Sequence, residues 1–312
     1  MSLYSALRRF AKSTVRRVPA PMARWAIRQG LAILPRQESL FLGLACQFPS
    51  REPQPVVTRA GFRMRLHLDD SIERRIFYTG RYERATEAIM RRVLTGQECF
   101  VDVGANSGYF SLLAAKLLAH RGKVYAFEPF PLTRTRLEEN IRENGQDDRI
   151  VVFPVALAAA RESRTLFTCS GNLGMTSFST SDRSHAPAGE EVQCDALDAV
   201  WDEIGNPRVD LLKMDVEGAE WLIFPGMRRV LAEQLCRHLL IEIHPRQIRE
   251  LGGQPRAILD ALVEAGYRLW GPSAGRLQPL DAEQFLSSDR GHRFIMATLD
   301  DALAGMDVPE GF

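Results

Sequence analysis

Residues 99–108 read C-F-V-D-V-G-A-N-S-G, and this stretch decides the fold that we expect for the chain. The residues of Phe100–Val103 favour a strand, and Gly104 and Gly108 mark a turn that leads into an amphipathic helical pattern. Glycine lets a backbone approach a ligand closely, and the first N–H groups of a helix lack intrahelical partners. The stretch therefore predicts a cofactor-binding turn between a strand and a helix.

The residues around this turn indicate which cofactor it binds. The spacing of Gly104 and Gly108 departs from the G-x-G-x-x-G pattern of dinucleotide-binding turns. Asp102 would repel a pyrophosphate but suits a cationic group such as an α-ammonium. The next predicted strand, Val124–Phe127, ends in Glu128, which we expect to accept hydrogen bonds from both hydroxyls of a ribose. This pair of acids favours S-adenosylmethionine over NAD, and an NAD-dependent dehydrogenase is the alternative enzyme.

Strand-like and helix-like segments alternate after the turn, which predicts a parallel sheet covered by helices on both faces. The further predicted strands are Ile150–Phe153, Val209–Met214, His238–Ile243 and Phe294–Thr298. Between Thr165 and Cys194 the alternation is interrupted by a polar insertion. An insertion of this length is usually functional or disordered, and we take Asn172, Thr176 and Ser177 as candidate substrate-binding residues.

Polar residues follow two of these strands at their carboxyl ends, where ligands bind in open α/β sheets. Asp215 and Glu217 follow one strand, and Glu242 and His244 close the next. An imidazole titrates near neutral pH, so His244 is the predicted general base, with Glu242 or Glu217 orienting it or holding substrate hydroxyls. Asp215 or Glu217 could instead cap the helix expected at Ala219. An acid cluster can also hold a divalent metal, but histidine is an unusual magnesium ligand and no metal is assigned.

The residues assigned to the cofactor lie on the first turn and at the strand ends beside it. They are Asp102, Val103, Gly104, Ala105, Asn106, Ser107, Gly108, Glu128, Pro129, Ala156, Leu157 and Asp215.

The beginning of the chain differs in charge from the rest. The 312 residues carry a net charge of +1, yet there is no acid before Glu38 and the basic residues there are mainly arginine. Residues 1–20 predict a basic amphipathic helix that either packs on the domain or lies on an anionic membrane surface. Prolines at positions 49 to 55 mark the expected boundary between an extension, 1–55, and a catalytic domain, 56–312.

Composition narrows the location and partners of the protein. The five cysteines show neither a C-x-x-C pair nor metal-ligand spacing, which favours reduced thiols in a cytoplasmic protein. No apolar run reaches the roughly 18 residues that a bilayer span needs, and no nucleic-acid motif is present. We expect a small-molecule or glycan acceptor, with peripheral contact at the cytoplasmic membrane face if residues 1–20 bind lipid. A membrane-surface protein that has lost activity is the third alternative.

Five segments of the sequence resemble the FkbM-type S-adenosylmethionine-dependent methyltransferases. They are F-V-D-V-G-A-N-S-G-Y-F-S at 100–111, V-Y-A-F-E-P at 124–129, V-A-L at 155–157, V-D-L-L-K-M-D-V-E-G-A-E at 209–220 and I-E-I-H-P at 241–245. Gly80, Tyr82 and Glu83 resemble a family segment upstream of the turn. The resemblance implies a Rossmann-like class I methyltransferase fold, with a mostly parallel seven-stranded sheet and a reversed last strand. It also implies O-methylation of a hydroxyl on a sugar or natural product.

Overall fold

The computed structural model describes residues 19–33, 38–48, 50, 52–95, 99–118, 122–169, 172–178, 189–287 and 293–309. The basic helix expected within residues 1–20 lies almost entirely outside the described residues. The chain divides into two compact units, Met1–Tyr82 and Glu83–Phe312. The boundary expected at residue 55 falls inside the first unit, and the division into extension and domain at that point stays a prediction.

The described part of the first unit contains three helices and a β-hairpin. Its elements are α1 (Ala20–Ile33), α2 (Glu38–Ala45), β1 (Gln54–Val57), β2 (Arg63–Leu66) and α3 (Ser71–Thr79), and β1 pairs antiparallel with β2. The Asp70 side chain accepts hydrogen bonds from the backbone N–H groups of Ile72 and Glu73, and Gly80 ends α3 at a φ of 72°. A side-chain cap thus begins this helix, and a left-handed glycine ends it.

The second unit contains the predicted turn and the strands that follow it. Its elements in chain order are α4 (Arg84–Val93), β3 (Cys99–Val103), α5 (Tyr109–Leu117), β4 (Lys123–Phe127), α6 (Pro131–Glu143), β5 (Ile150–Phe153), β6 (Ala156–Leu157), β7 (Glu162–Cys169), β8 (Asn172–Ser177), β9 (Glu190–Asp195), α7 (Leu197–Glu203), β10 (Val209–Met214), α8 (Glu220–Ile223), α9 (Arg228–Ala232), β11 (Cys236–Ile243), α10 (Pro245–Glu250), α11 (Pro255–Glu264), β12 (Arg268–Ser273), β13 (Arg276–Pro279), α12 (Ala282–Ser287) and β14 (Arg293–Thr298).

The main sheet has the order β13-β12-β14-β11-β10-β3-β4-β5. Strands β11, β10, β3, β4 and β5 are parallel, and β14 runs antiparallel beside β11. The Rossmann-like α/β fold and the reversed last strand are thus confirmed. Among the described residues the sheet has eight strands rather than seven, because β12 pairs with β14 and β13 adds one more antiparallel strand at the edge beside β12. Gly271 and Pro272 are unfavourable in strands, and for this reason the sequence did not predict β12.

The order of the parallel strands reverses between β3 and β10. From β3 the chain moves outward through β4 to β5, and later returns to pair β10 with the other side of β3. Ligands of open α/β sheets bind in the crevice at such a reversal, beyond the carboxyl ends of the strands. The register places Lys213 opposite Asp102 and Met214 opposite Val103. The turn at 104–108 and the segment after Met214 therefore leave the sheet side by side.

The polar insertion and its neighbours form a separate four-stranded sheet in the order β6-β9-β7-β8. Strands β7 and β9, on either side of the insertion, pair antiparallel. Ala156 and Leu157 were expected at the end of the third strand of the main sheet. They lie instead in β6, paired with Cys194 and Asp195 of the smaller sheet.

The helix expected over residues 219–231 is broken in the structure. A 3₁₀ turn, Phe224–Gly226, separates α8 from α9. Pro225 removes a backbone donor, and a Cβ on Gly226 would lie only 2.1 Å from the carbonyl oxygen of Ala158.

Among the described residues, no helix is long and apolar enough to cross a bilayer.

His238 makes the stability of this sheet dependent on pH. It lies on β11 at 3 % exposure, and burial lowers its pKa from 6.5 to about 4. Between these values the unfolded chain binds a proton that the folded chain does not, so the unfolding free energy decreases as pH falls from 6.5 to 4.

We expect that His238→Leu, which removes this titration, reduces the acid-side loss of stability by at most about 3 kcal/mol. Urea denaturation of both proteins across this pH range measures the difference. An unchanged pH profile in the variant would show that His238 does not titrate as its burial requires.

Candidate active site at the carboxyl edge of the sheet

The N–H groups of the turn at 104–108 are occupied within the chain. Those of Gly104 and Ala105 donate to the carbonyl oxygen of Phe127, at 3.1 and 3.0 Å, and that of Gly108 donates to the carbonyl oxygen of Ala105. The Asn106 N–H donates to Glu128 and the Ser107 N–H to the Asn106 side chain. All five N–H groups therefore have acceptors within the chain. A turn with its donors used in this way does not suit a pyrophosphate.

Glu128 connects the turn to the start of α6. Its Oε2 accepts from the Asn106 N–H at 2.8 Å, and its Oε1 accepts from the Phe130 N–H at 3.0 Å and the Thr133 hydroxyl at 2.9 Å. Burial raises the pKa of Glu128, and these hydrogen bonds oppose the increase. A carboxylate has about four acceptor positions, so within the described contacts one position on Oε2 remains for a ligand. We expected Glu128 to accept hydrogen bonds from two ribose hydroxyls, one on each carboxylate oxygen. For Oε1 to accept such a bond, the Thr133 hydroxyl would have to rotate away from it.

These two observations test the fit of the expected cofactor. A nucleoside without phosphates needs no anion-binding turn, and its ribose needs an acceptor at the end of the second strand. The occupied N–H groups and the remaining position on Glu128 meet both conditions. The residues present therefore fit S-adenosylmethionine better than they fit NAD.

Asp102 and Lys213 form a buried ion pair at the reversal of strand order. Asp102 is 1 % exposed; its Oδ2 accepts from the Ser111 hydroxyl at 2.6 Å, and the Ser111 N–H also donates to this carboxylate. Lys213 Nζ lies 3.9 Å from Asp102 Oδ1 and 3.6 Å from Asp215 Oδ2. Asp102 therefore holds the first turn of α5 and neutralises part of the lysine charge. Its predicted contact with the α-ammonium of the cofactor stays a prediction.

The carboxyl groups around this ion pair determine the pKa of its lysine. Burial would lower the pKa of Lys213, but the surrounding carboxyl groups outweigh burial and raise it, so the lysine stays protonated. Those groups are Asp215, Asp102, Glu83 and Glu242. Burial raises the pKa of Glu83 to about 8, helped by Asp215 and opposed by Lys213. The edge of the sheet is thus a buried acidic site in which Lys213 carries a positive charge.

His244 lies at the centre of the remaining acids. Its Nδ1 forms a hydrogen bond of 2.7 Å with Oε1 of Glu220, which is fully buried. Its Nε2 lies 3.5 Å from Glu217 Oε2 and 3.6 Å from Glu242 Oε1. Helix α8 begins without a side-chain cap at Ala219, so the alternative in which Asp215 or Glu217 caps this helix is wrong. The predicted convergence of Asp215, Glu217, Glu242 and His244 is what the structure shows.

The surroundings of His244 bear on its predicted role as a base. Burial alone would lower its pKa, but Glu220 above all, then Glu217 and Asp215, raise it to about 10. At neutral pH the imidazole is therefore protonated and has no free lone pair with which to accept another proton. This charge state disfavours His244 as the general base, a role that stays a prediction, and the carboxylates at its Nε2 become further candidate proton acceptors.

Three residues of the site have a backbone conformation that is unusual for residues with side chains. Glu83, Asn106 and Glu217 have φ values of 34°, 50° and 51°. Such left-handed conformations cost on the order of 1–2 kcal/mol each and persist where surrounding contacts impose them.

The candidate substrate residues lie on β8. Ser177 Oγ donates to the backbone carbonyl of Glu217 at 2.9 Å, which connects the polar insertion to the acidic site. Thr176 is half-buried and pairs with Thr168 in the ladder. The side chain of Asn172 lies outside the described residues. Substrate binding by these three residues stays a prediction.

Lys213, Glu83 and Glu220 belong to the site, and the sequence analysis assigned none of them to it. Lys213 is one of only four lysines in the chain and interrupts the otherwise apolar strand β10, which is a usable signal. Glu220 ends the segment D-V-E-G-A-E, one helical turn from Glu217. Glu83 is distant in sequence, and only the tertiary structure brings it to Asp215.

The fold and this site are those of a class I S-adenosylmethionine-dependent methyltransferase. The family model for the methyltransferase FkbM domain matches residues 102–269, which include both glycines of the turn, the acids that follow β10 and Glu242 on β11. The chain belongs to this family, and its methyl donor is S-adenosyl-L-methionine.

Two curated proteins show the extent of the similarity. The chain is 28 % identical over 211 residues to the AMB antimetabolite synthetase AmbE of Pseudomonas aeruginosa, covering 57 % of this chain and 10 % of AmbE. It is 28 % identical over 176 residues to the 2-O-methyltransferase NoeI of Sinorhizobium fredii, covering 52 % of this chain and 70 % of NoeI. The matched region thus spans a tenth of AmbE. A solved structure of the methyltransferase FkbM from Methylobacillus flagellatus aligns with a TM-score of 0.40 and 15 % identity, covering 93 % of this chain and 60 % of that one.

The close approach of the turn to the Asp215 segment gives a testable consequence. Gly104 has a φ of 82°, and a Cβ there would lie 2.1 Å from the carbonyl oxygen of Asp215. Gly145 has a similar φ of 59° but open space around it. We expect Gly145→Ala to lower the unfolding free energy by about 1 kcal/mol, and Gly104→Ala by at least about 3 kcal/mol. Urea denaturation followed by circular dichroism measures both; equal losses would contradict the contact.

Proposed function

We propose that the protein transfers a methyl group from S-adenosylmethionine to a hydroxyl of a sugar, glycan or natural-product acceptor. The observation that carries this proposal is the convergence of Asp215, Glu217 and Glu242 around His244 beside the cofactor turn. A hydroxyl must lose its proton when it is methylated, and this cluster offers acceptors for that proton. The name of NoeI, a 2-O-methyltransferase, agrees with this choice of acceptor atom.

Different residues of the chain would bind the cofactor and accept the proton of the hydroxyl. Residues 102–108, Glu128, Pro129 and Asp215 would hold the cofactor, which supplies an electrophilic methyl group when bound. Glu217, whose side chain is 19 % exposed, can meet an acceptor hydroxyl and take up its proton. The protonated His244 keeps Glu217 and Glu242 in place and favours their ionised forms. Ala156 and Leu157 are buried in the smaller sheet, and we retain them as apolar neighbours of the cofactor's base.

The proposal also includes a location and a membrane contact for the protein. The described cysteines Cys46, Cys99, Cys194 and Cys236 have free thiols, which supports a reducing, cytoplasmic location. Contact of residues 1–20 with an anionic membrane remains part of the proposal on the strength of their arginine-rich sequence alone. Pelleting of the full chain with anionic vesicles, compared with a variant lacking residues 1–20, tests it.

The proposed role of Glu128 predicts a change in cofactor affinity. Glu128→Gln keeps the shape of the side chain but removes an acceptor, so we expect S-adenosylhomocysteine to bind about 10- to 100-fold more weakly, a loss of about 1.4–2.8 kcal/mol. Isothermal titration calorimetry measures this. Glu139→Gln, an exposed position on the neighbouring helix α6, is the matched control and should bind like the wild type. Equal affinity in both variants would remove Glu128 from the cofactor site.

The acceptor chemistry can be tested with radiolabelled methyl donor. We expect label to enter sugars with free hydroxyls, to appear as methyl ether carbon by NMR, and to be absent when the same sugars have blocked hydroxyls. Glu217→Gln should lower kcat by about 100-fold or more and leave the affinity for S-adenosylhomocysteine within about twofold, because it removes a proton acceptor and no cofactor contact. Transfer only to amino sugars, at nitrogen, would overturn O-methylation.

A further inference from the structure

Asp215, Glu217 and His244 have the geometry of a metal-binding triad. One potential ligand atom from each lies within 4.8 Å of the other two. Ligand atoms of a single ion with bonds of about 2.1 Å lie about 3 to 4 Å apart, so a small movement brings the three into coordination distance. Glu217 and Asp215 are partly exposed, with side-chain exposures of 19 % and 23 %, and can adjust without disturbing the core.

Glu220 fixes the orientation of the His244 ring. It is fully buried and bonds to Nδ1 of His244 at 2.7 Å, on the side of the ring away from the other acids. A carboxylate on one imidazole nitrogen is the usual partner of a histidine that binds a metal through its other nitrogen. The second nitrogen here is Nε2, which faces Glu217 and Glu242 at 3.5 and 3.6 Å.

The charge of the region also favours a cation. A second set of three acids, Glu83, Asp215 and Glu242, satisfies the same 4.8 Å condition and shares Asp215 with the first. Glu83 and Glu242 are only 6 % and 8 % exposed, so water compensates little of their charge. Lys213 is bound to Asp102 as well as to Asp215 and balances the acids only in part. Buried carboxylates that converge in this way usually coordinate a metal or are paired with other cations.

We propose that Asp215, Glu217 and His244 bind one divalent first-row transition-metal ion, with Glu242 and Glu83 beside it. One imidazole and two carboxylates suit Mn²⁺, Fe²⁺ or Zn²⁺ better than Mg²⁺, which prefers oxygen alone. The ion's role rests on the proposed function: it would hold the acceptor hydroxyl and lower its pKa, and Glu242 would take up the proton in place of the coordinated Glu217. Its binding does not depend on that function.

Mn²⁺ binding to the full chain tests the site. After treatment with EDTA and dialysis, the protein is titrated with MnCl₂, and free Mn²⁺ is measured by its EPR signal. We expect one bound ion per chain, and a 10- to 100-fold weaker affinity in Glu217→Gln. Asp260→Asn removes a carboxylate of the same charge from an exposed ion pair with Arg256 on α11 and should bind Mn²⁺ like the wild type. Asp215→Asn provides a second variant if Glu217→Gln does not fold, as judged by circular dichroism.

Equal Mn²⁺ affinity in the wild type and both site variants, or no binding at all, would overturn the proposal. Titration of the same samples with S-adenosylhomocysteine separates this result from the proposed function. Cofactor binding and hydroxyl methylation without Mn²⁺ binding would remove the metal site alone. Site-dependent Mn²⁺ binding without methylation of any hydroxyl would leave the metal site standing and remove the proposed function.

Discussion

The parallel pairing of β3 with β10 places a lysine and a carboxylate opposite each other in the interior, and the site depends on this contact. Lys213 is 4 % exposed, and a buried ammonium is tolerated only when opposite charges and polar contacts replace its water. Asp102 and Asp215 supply the charges, and the ring of Phe110, 5.1 Å from Nζ, covers the cation. Removing any one charge would leave another uncompensated, so strand register, helix α5 and the loop after β10 are held together.

Asp102 of this ion pair and Glu128 of the neighbouring strand together fix the turn at 104–108. Asp102 holds the start of α5 through Ser111, while Glu128 holds the turn from the neighbouring strand through Asn106. The two acids therefore have structural tasks besides any contact with the cofactor. A carboxylate at a strand end can serve both purposes, since its acceptor positions exceed the number of donors that the chain supplies.

Much of this fold follows from the sequence alone, because local patterns are strong where strands are buried. The apolar runs of β3, β4, β10 and β11 and the glycines after β3 predict the parallel sheet and the position of its ligand-binding edge. Other features depend on contacts between distant residues. Gly271 and Pro272 disguise β12, the pairing of Ala156 with Cys194 assigns β6 to the smaller sheet, and only folding brings Glu83 to Asp215. The sequence likewise did not predict that the N–H groups of the turn are occupied, since three of the five donate to Phe127 and Glu128 at the end of the next strand.

The two roles considered for His244 differ in what they demand of Glu220. A general base must exchange its proton near neutral pH, whereas a carboxylate fixed on Nδ1 and further acids near Nε2 raise the imidazole's pKa to about 10. A metal ligand needs its Nε2 lone pair directed at the ion, and the same Glu220 contact fixes the ring orientation that this requires. A cation at Nε2 would also replace the proton that the acids otherwise retain there. The arrangement of charges around His244 therefore works against proton exchange and in favour of coordination, with Glu217 and Glu242 placed to serve either a hydroxyl or an ion.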